Sequence, residues 1–178
     1  MLLVFPRGKV LEDLWCPLCY YQYAELAEWD EKKNAKEKYD LEILFLLPYP
    51  KDSITLWTKA VNKGLQSIEN WKNYDGYDTL SERQKEWPDY VRKFFPAQYN
   101  YPSGVIDTPI PILIDEDKQV SKALFLYTKE WGGTKADQNM PTVFLIDKKG
   151  VVQFKYHSQY TNDRPTAEYI EKFIQKML

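Results

Sequence analysis

Only two cysteines occur in the 178 residues, and they stand three apart in Trp15-Cys16-Pro17-Leu18-Cys19. The apolar run Leu2, Leu3, Val4, Phe5 precedes them. Tyr23, Leu26, Ala27 and Asp30 follow at spacings of three and four, the period of a helix. Few arrangements satisfy both patterns. A strand must lead through a short loop into a helix whose first turn carries both thiols. Pro17 suits the first helical position, where its missing N–H costs no hydrogen bond.

That placement has a chemical consequence. At a helix N-terminus the unpaired N–H groups and the positive end of the dipole stabilise an anion. A thiolate at Cys16 would therefore have a lowered pKa and be the attacking form. Cys19, one turn on, lies on the same face and can attack a mixed disulfide formed at Cys16, releasing the partner as a thiol. Two other uses stay open. A structural disulfide at this spacing is strained and reducible. A zinc site needs about four ligands, and His157 is the one histidine available.

The length fits one domain over residues 1–178. A formal charge of −2 and a pI near 5.6 give no reason to expect a nucleic-acid partner. No apolar run approaches the roughly 20 residues that span a bilayer, so no membrane partner is expected either. The apolar part of the N-terminus is too short for a signal peptide, and the chain reads as cytoplasmic. A removed leader would make it periplasmic or secreted. Two cysteines in a reducing compartment point to catalysis more than to a structural bridge.

Along the chain, residues 2–5 read as a buried strand and residues 6–14 as a loop. Residues 16–38 read as the first helix, and residues 41–47 as a second buried strand stopped by Pro48 and Pro50. Residues 52–108 read as a helical insertion. Within it, Ile54, Trp57, Val61, Leu65 and Ile68 have helical spacing, and Ser81 opens a further helix that Pro88 begins or kinks. Its aromatics, Trp57, Trp71, Trp87, Tyr90, Phe94 and Phe95, are expected to pack together. Residues 111–114 read as a strand. The acidic turn Asp115-Glu116-Asp117 complements the N-terminus of a helix over residues 118–127. Residues 131–139 read as a loop. Residues 140–147, a strand with Pro141 at its start, and 151–156 read as a hairpin, and a last helix starts at Pro165 or Thr166. The expected architecture is α/β: a central mixed sheet flanked by helices, with the two first strands parallel and joined through the first helix.

With these pieces in place, the chain resembles the thioredoxin-like superfamily and, within it, the alkyl hydroperoxide reductase/thiol-specific antioxidant (AhpC/TSA) group of peroxiredoxin-like and thiol–disulfide proteins. Three stretches carry the resemblance. The first is Leu3-Val4-Phe5, Arg7-Gly8 and the Trp15–Cys19 motif. The second is Ile110-Pro111-Ile112-Leu113-Ile114-Asp115. The third runs from Met140-Pro141-Thr142 through Lys148-Lys149-Gly150 to Asn162-Asp163-Arg164-Pro165. The insertion is not covered.

The resemblance implies a thioredoxin-like fold, Cys16 as nucleophile and Cys19 as resolving thiol. It implies a cis peptide at Pro141 beside the dithiol, where the backbone pairs with an extended substrate. Trp15, Pro17, Met140, Pro141 and Thr142 would shape the substrate site. Two departures stand out. Peroxiredoxins proper carry Thr or Ser three residues before the reactive cysteine, where this chain has Asp13. They also carry an arginine near the strand that starts at Pro141, where this chain has Met140-Pro141; Arg7 and Arg164 are the candidates to substitute for it.

The expected function is thiol–disulfide oxidoreduction by the Cys16–Cys19 pair. Substrates would be protein or small-molecule disulfides or thiols, recycled by an external thiol reductant, with no cofactor and no metal. A peroxiredoxin-like thiol peroxidase is the alternative. A non-catalytic binding module built on the aromatic insertion is a third. Asp13, with Glu12, is a candidate proton relay; His157 lacks any sequence tie to Cys16.

Overall fold

In the computed structural model, which describes residues 1–107 and 110–177, the N-terminal apolar run is the middle strand of the sheet. This strand, β1 (Leu2–Phe5), pairs in parallel with β4 (Ile43–Leu47) and antiparallel with β8 (Thr142–Ile146). β5 (Ile112–Ile114) lies parallel outside β4, and β9 (Val152–His157) antiparallel outside β8. The order is β5-β4-β1-β8-β9. Both faces of the three inner strands are covered, and their sequences are accordingly apolar almost without interruption. Mixed pairing, parallel β1 and β4, and helices against the sheet agree with the sequence expectation.

Helix α1 (Pro17–Lys33) packs Leu18, Tyr23, Leu26 and Trp29 into the larger of two cores. The expected continuation to residue 38 is broken at Asn34, which is left-handed with φ +48°; the short α2 (Ala35–Tyr39) follows. Asparagine tolerates that region better than other residues with a Cβ. The opposite face of the sheet carries a second, smaller core of Phe5, Leu46, Leu126 and Phe144. The last helix, α7 (Ala167–Met177), is tied to the first two through Glu171. Its carboxylate accepts from Tyr39 Oη at 2.8 Å and Trp29 Nε1 at 3.2 Å.

The insertion is helical as expected: α3 (Lys51–Lys59), α4 (Val61–Lys72), a single 3-10 turn at Tyr77–Thr79 and α5 (Glu82–Phe94). Its far boundary, Thr108, lies outside the described residues. Ser81 caps α5, its amide and hydroxyl donating to Gln84 Oε1 at 3.0 and 2.7 Å, and Pro88 lies within the helix. The aromatics do form a packing layer. Trp57 is fully buried and stacks on Tyr20 at 5.0 Å; Trp71, Trp87, Tyr90 and Phe94 follow one another at 5.4, 5.7 and 4.5 Å. Burying a side chain of this size contributes about 2–3 kcal/mol or more.

Three segments differ from the sequence expectation. The helix over residues 118–127 shrinks to α6 (Gln119–Ala123), because Phe125 takes φ +57° and the chain turns into a strand. Asp115 serves that helix as foreseen, accepting from Val120 N at 3.1 Å and Ser121 N at 2.8 Å. The expected loop 131–139 is a hairpin of β6 (Tyr127–Trp131) and β7 (Thr134–Asn139), turned by Gly132 and Gly133, both at positive φ. The expected loop 6–14 holds a small ribbon, β2 (Lys9–Leu11) and β3 (Leu14–Trp15). Among the described residues no helix is long and apolar enough to cross a membrane.

Candidate active site around Cys16

The motif sits where its chemistry requires. Cys16 is the N-cap of α1 and Pro17 its first residue. The Cys16 amide donates to Gly8 O at 2.8 Å, and the Cys19 amide donates to Cys16 O at 3.1 Å. These bonds hold the cap in extended conformation, φ −69° and ψ 114°, and place both sulfurs on the first turn. Both cysteines are reduced thiols and both are buried, Cys16 at 3% exposure and Cys19 at 0%.

The two thiols are driven apart in acidity. Cys16 is lowered to about 6, first by the thiol of Cys19 donating to it and then by the guanidinium charges of Arg164 and Arg7, which together outweigh its burial. Cys19 is raised, by burial above all and by the anion forming beside it. Of the two thiols, Cys16 is thus the more acidic and Cys19 the one that keeps its proton.

Both arginines come from loops that the chain folds back on the motif. Arg7 follows β1 and is buried; its Nε donates to Gln138 Oε1 at 2.7 Å, and its Nη2 to Trp131 O at 2.8 Å and Thr134 Oγ1 at 2.6 Å. These acceptors are neutral, so the positive charge is left to act on the Cys16 thiolate. Arg164 precedes α7, with a side chain 3% exposed; Nη1 donates to Asp163 O at 2.7 Å and Ser158 Oγ at 3.2 Å. It acts on Cys16 through space, since its Nε and Nη2 have no hydrogen-bond partner among the described residues.

Trp15 is half-buried and meets Tyr49 edge-on at 5.2 Å. Tyr49 Oη accepts from Lys9 N at 2.8 Å and donates to Asp137 O at 2.6 Å, linking the β2–β3 ribbon to β7. Trp15 and Pro17 line a groove of about 300 Å³ with Asp13, Leu14 and Leu56. Asp13 is exposed, in the turn between β2 and β3.

Met140, Pro141 and Thr142 enter β8 next to the loop that carries Arg7. Asn139 N donates to Arg7 O at 3.1 Å, and Gly8 bridges to Gln138. The expected cis peptide at Pro141 is corrected: the described residues contain no cis bond. Met140 N donates to Leu126 O at 2.8 Å and Ser158 N to Pro141 O at 2.9 Å, so the chain runs into the ladder in the ordinary trans form. Thr142 Oγ1 lies 2.8 Å from His157 Nδ1, which places His157 at the strand end beside Thr142. Tyr49 and Gln138 escaped the sequence reading. Neither stands in a motif, and each acquires its role from a hairpin that polar sequence concealed.

The central mixed sheet with this helix-capping dithiol defines a thioredoxin-like fold. No protein-family model matches the chain, and no curated protein matches it in sequence. Among solved structures it is similar to a cysteine-to-serine mutant of peroxiredoxin 6 of Arenicola marina, with a TM-score of 0.53 and 16% identity. That match covers 99% of this chain and 60% of the other. It is equally similar to reduced 2-Cys peroxiredoxin of Plasmodium vivax, at TM-score 0.53 and 16% identity, over 99% of this chain and 64% of that one. The chain therefore spans less than two thirds of the length of either.

Proposed function

We propose that the chain is a dithiol redox enzyme, of the AhpC/TSA kind, whose Cys16 thiolate reduces a hydroperoxide and whose Cys19 resolves the product. One observation carries this reading. Cys16 is held ionised by Cys19, Arg164 and Arg7 while only 3% exposed. A small oxidant can reach such a sulfur; a folded protein's disulfide must approach far more closely than that burial favours. The fold shared with peroxiredoxins supports the same choice.

The Cys16 thiolate attacks the terminal oxygen of ROOH. The O–O bond breaks, the alkoxide takes a proton and leaves as ROH, and Cys16 becomes a sulfenic acid. Cys19, once deprotonated, attacks the Cys16 sulfur. A disulfide forms and the oxygen leaves as water. An external thiol reductant then returns both cysteines to thiols. The sulfur chemistry needs no cofactor, and a reducing, cytoplasmic setting suits the recycling step. Trp15, Pro17, Met140, Pro141 and Thr142 shape the approach, and Asp13 at the ribbon tip is a candidate relay for protons.

A second reading, thiol–disulfide exchange with a protein or small-molecule disulfide, is favoured by the groove beside Trp15 and Pro17. The two are separated by measuring hydroperoxide consumption and insulin reduction on the same protein. We expect rapid peroxide consumption, lost in Cys16→Ser, with sulfenic acid trapped in Cys19→Ser. A peroxide rate no better than a free thiol's, beside Cys16-dependent insulin reduction, would move the assignment to the second reading.

A further inference from the structure

Gln138 lies on β7 and is fully buried, where an amide is costly unless its polar atoms find partners. Here they do. Nε2 donates to Ala136 O at 3.2 Å and to Thr134 O at 3.3 Å, both in the same strand. These two bonds fix which end of the amide is turned away from the strand, and Oε1 is thereby presented to Arg7. It accepts from Arg7 Nε at 2.7 Å. That is the one side-chain hydrogen bond by which Gln138 reaches outside its own hairpin.

Arg7 depends on such a partner. It is 4% exposed, and its guanidinium lies over the Trp131 ring at 5.0 Å. Its hydrogen bonds leave from Nε and Nη2 only, with Nη2 held by Trp131 O and Thr134 Oγ1. Held at Nη2 alone, the plane could swing about that point. A second bond at Nε fixes it, because the guanidinium donors form a rigid fork. Gln138 also reaches the dithiol through the main chain. It bridges to Gly8, whose carbonyl accepts from the Cys16 amide at 2.8 Å.

From this double link we propose that Gln138 is a positioning residue of the redox centre, its neutral amide fixing the Arg7 guanidinium beside the dithiol without neutralising its charge. A glutamate at this position would also hold Nε, but it would pair its charge with Arg7. Its second oxygen would face the two carbonyls to which Nε2 now donates. The charged and titratable groups that act on Arg7 are Cys16, Cys19, Arg164 and Tyr49. Burial raises Cys19 and Tyr49, so both keep their protons, and Arg164 carries like charge. The Cys16 thiolate is left as the anion that Arg7 stabilises. This role deepens the proposed function, since it presupposes that thiolate, and it holds whichever oxidant the thiolate meets.

The test uses the reduced full chain and follows the thiolate absorbance of Cys16 across pH, with thermal unfolding as a check on the fold. Gln138→Glu is expected to raise the Cys16 midpoint by about one unit, by pairing the Arg7 charge. Gln138→Met is expected to raise it by about half a unit, by freeing the guanidinium plane. A side chain that only packs would lower the melting temperature in both variants and leave both midpoints in place, which overturns the proposal. A shift with glutamate alone also overturns it, because that needs a nearby charge but no positioning. Should either variant fail to fold, the wild type decides by NMR. The Arg7 Nε–H and the Gln138 side-chain amide should shift with the Cys16 midpoint, and should stay still over that range in Cys16→Ser. Wild-type resonances that ignore the thiolate overturn the proposal. No readout depends on turnover, so failure here leaves the peroxidase reading standing, and absent peroxide consumption leaves Gln138 in its role.

Discussion

The amide of Cys16 is bonded to the carbonyl of Gly8, eight residues earlier, at 2.8 Å, and Gly8 itself lies against the ring of Tyr49 at φ +80°. The cap of the reactive helix is therefore only as firm as the fit of that glycine. A Cβ at position 8 would fall inside the van der Waals envelope of Tyr49 Oη and Cε2, on a backbone conformation that disfavours any side chain. Gly8→Ala is expected to lower stability by about 1–3 kcal/mol, read as a fall in the urea midpoint at unchanged slope. The Cys16 titration should broaden or rise in the same variant.

Arg164 contributes to the acidity of Cys16 through space. Replacing it with Met removes the charge while keeping much of the volume. The Cys16 midpoint should then rise from near 6. A rise of about one unit would roughly halve the thiolate fraction at about pH 7. Iodoacetamide alkylation followed against pH checks both the starting value and the direction. An unchanged midpoint would remove Arg164 from the thiolate's surroundings.

The same shift links to stability. The folded-state pKa of Cys16 is depressed below its ordinary value, so between about 6 and 9 the unfolded chain binds the extra proton. Stability from this group is fully present above about 9 and is lost as pH falls through about 6. Reduced wild type should therefore gain stability relative to Cys16→Ser as pH rises through that window, as denaturation at several pH values would show. Cys19, raised instead, contributes the opposite slope only above its ordinary range.

Glu25 runs the other way. Burial lifts its carboxyl to about 7, against the amide of Ala167, which favours the anion. Between about 4.5 and 7 the folded chain holds the extra proton, so this group's contribution falls as pH rises. Glu25→Gln should be more stable than wild type at about pH 8, by about 1–2 kcal/mol, and the difference should shrink toward about pH 5. A constant difference across that range would refute the assignment.

Gly64 allows α4 to approach α1. A Cβ there would run into the ring of Tyr20, which is buried and stacked on Trp57. Gly64→Ala gains about 1 kcal/mol of helix propensity yet is expected to cost a net 1 kcal/mol or so, because overpacking costs about 1–3. Thermal unfolding decides the sign: a stabilised variant would mean the Tyr20 ring can move aside.

The central strands and the dithiol were legible because they depend on local signals. Residues 2–5 and 43–47 have few polar positions to mislead a reader, and Cys-Pro-x-Cys before a helical period places itself. The β6–β7 hairpin was not legible. Its strands, Tyr-Thr-Lys-Glu-Trp and Thr-Lys-Ala-Asp-Gln-Asn, lack alternation, and the hairpin is held by Gly132, Gly133 and the reach of Arg7. Arg7 and Arg164 could be named as candidate cations, but not brought together, since they stand near opposite ends of the chain and their convergence follows from strand order. The prolyl bond at Pro141 was expected in the wrong isomer because the expectation came from likeness to other proteins rather than from the surrounding ladder.

The two margins of the sheet are unequal, with β5 three residues long and β9 six. A three-residue margin exposes too few free N–H and C=O groups to template another chain, even though Leu113 and Ile114 are exposed there. The longer margin could recruit a visiting strand, but it presents Gln153 and Lys155 to water, and a lysine on an outer strand discourages such pairing. Aggregation by strand addition is thus resisted on one side by brevity and on the other by charge, and neutralising Lys155 is where that resistance would first give way.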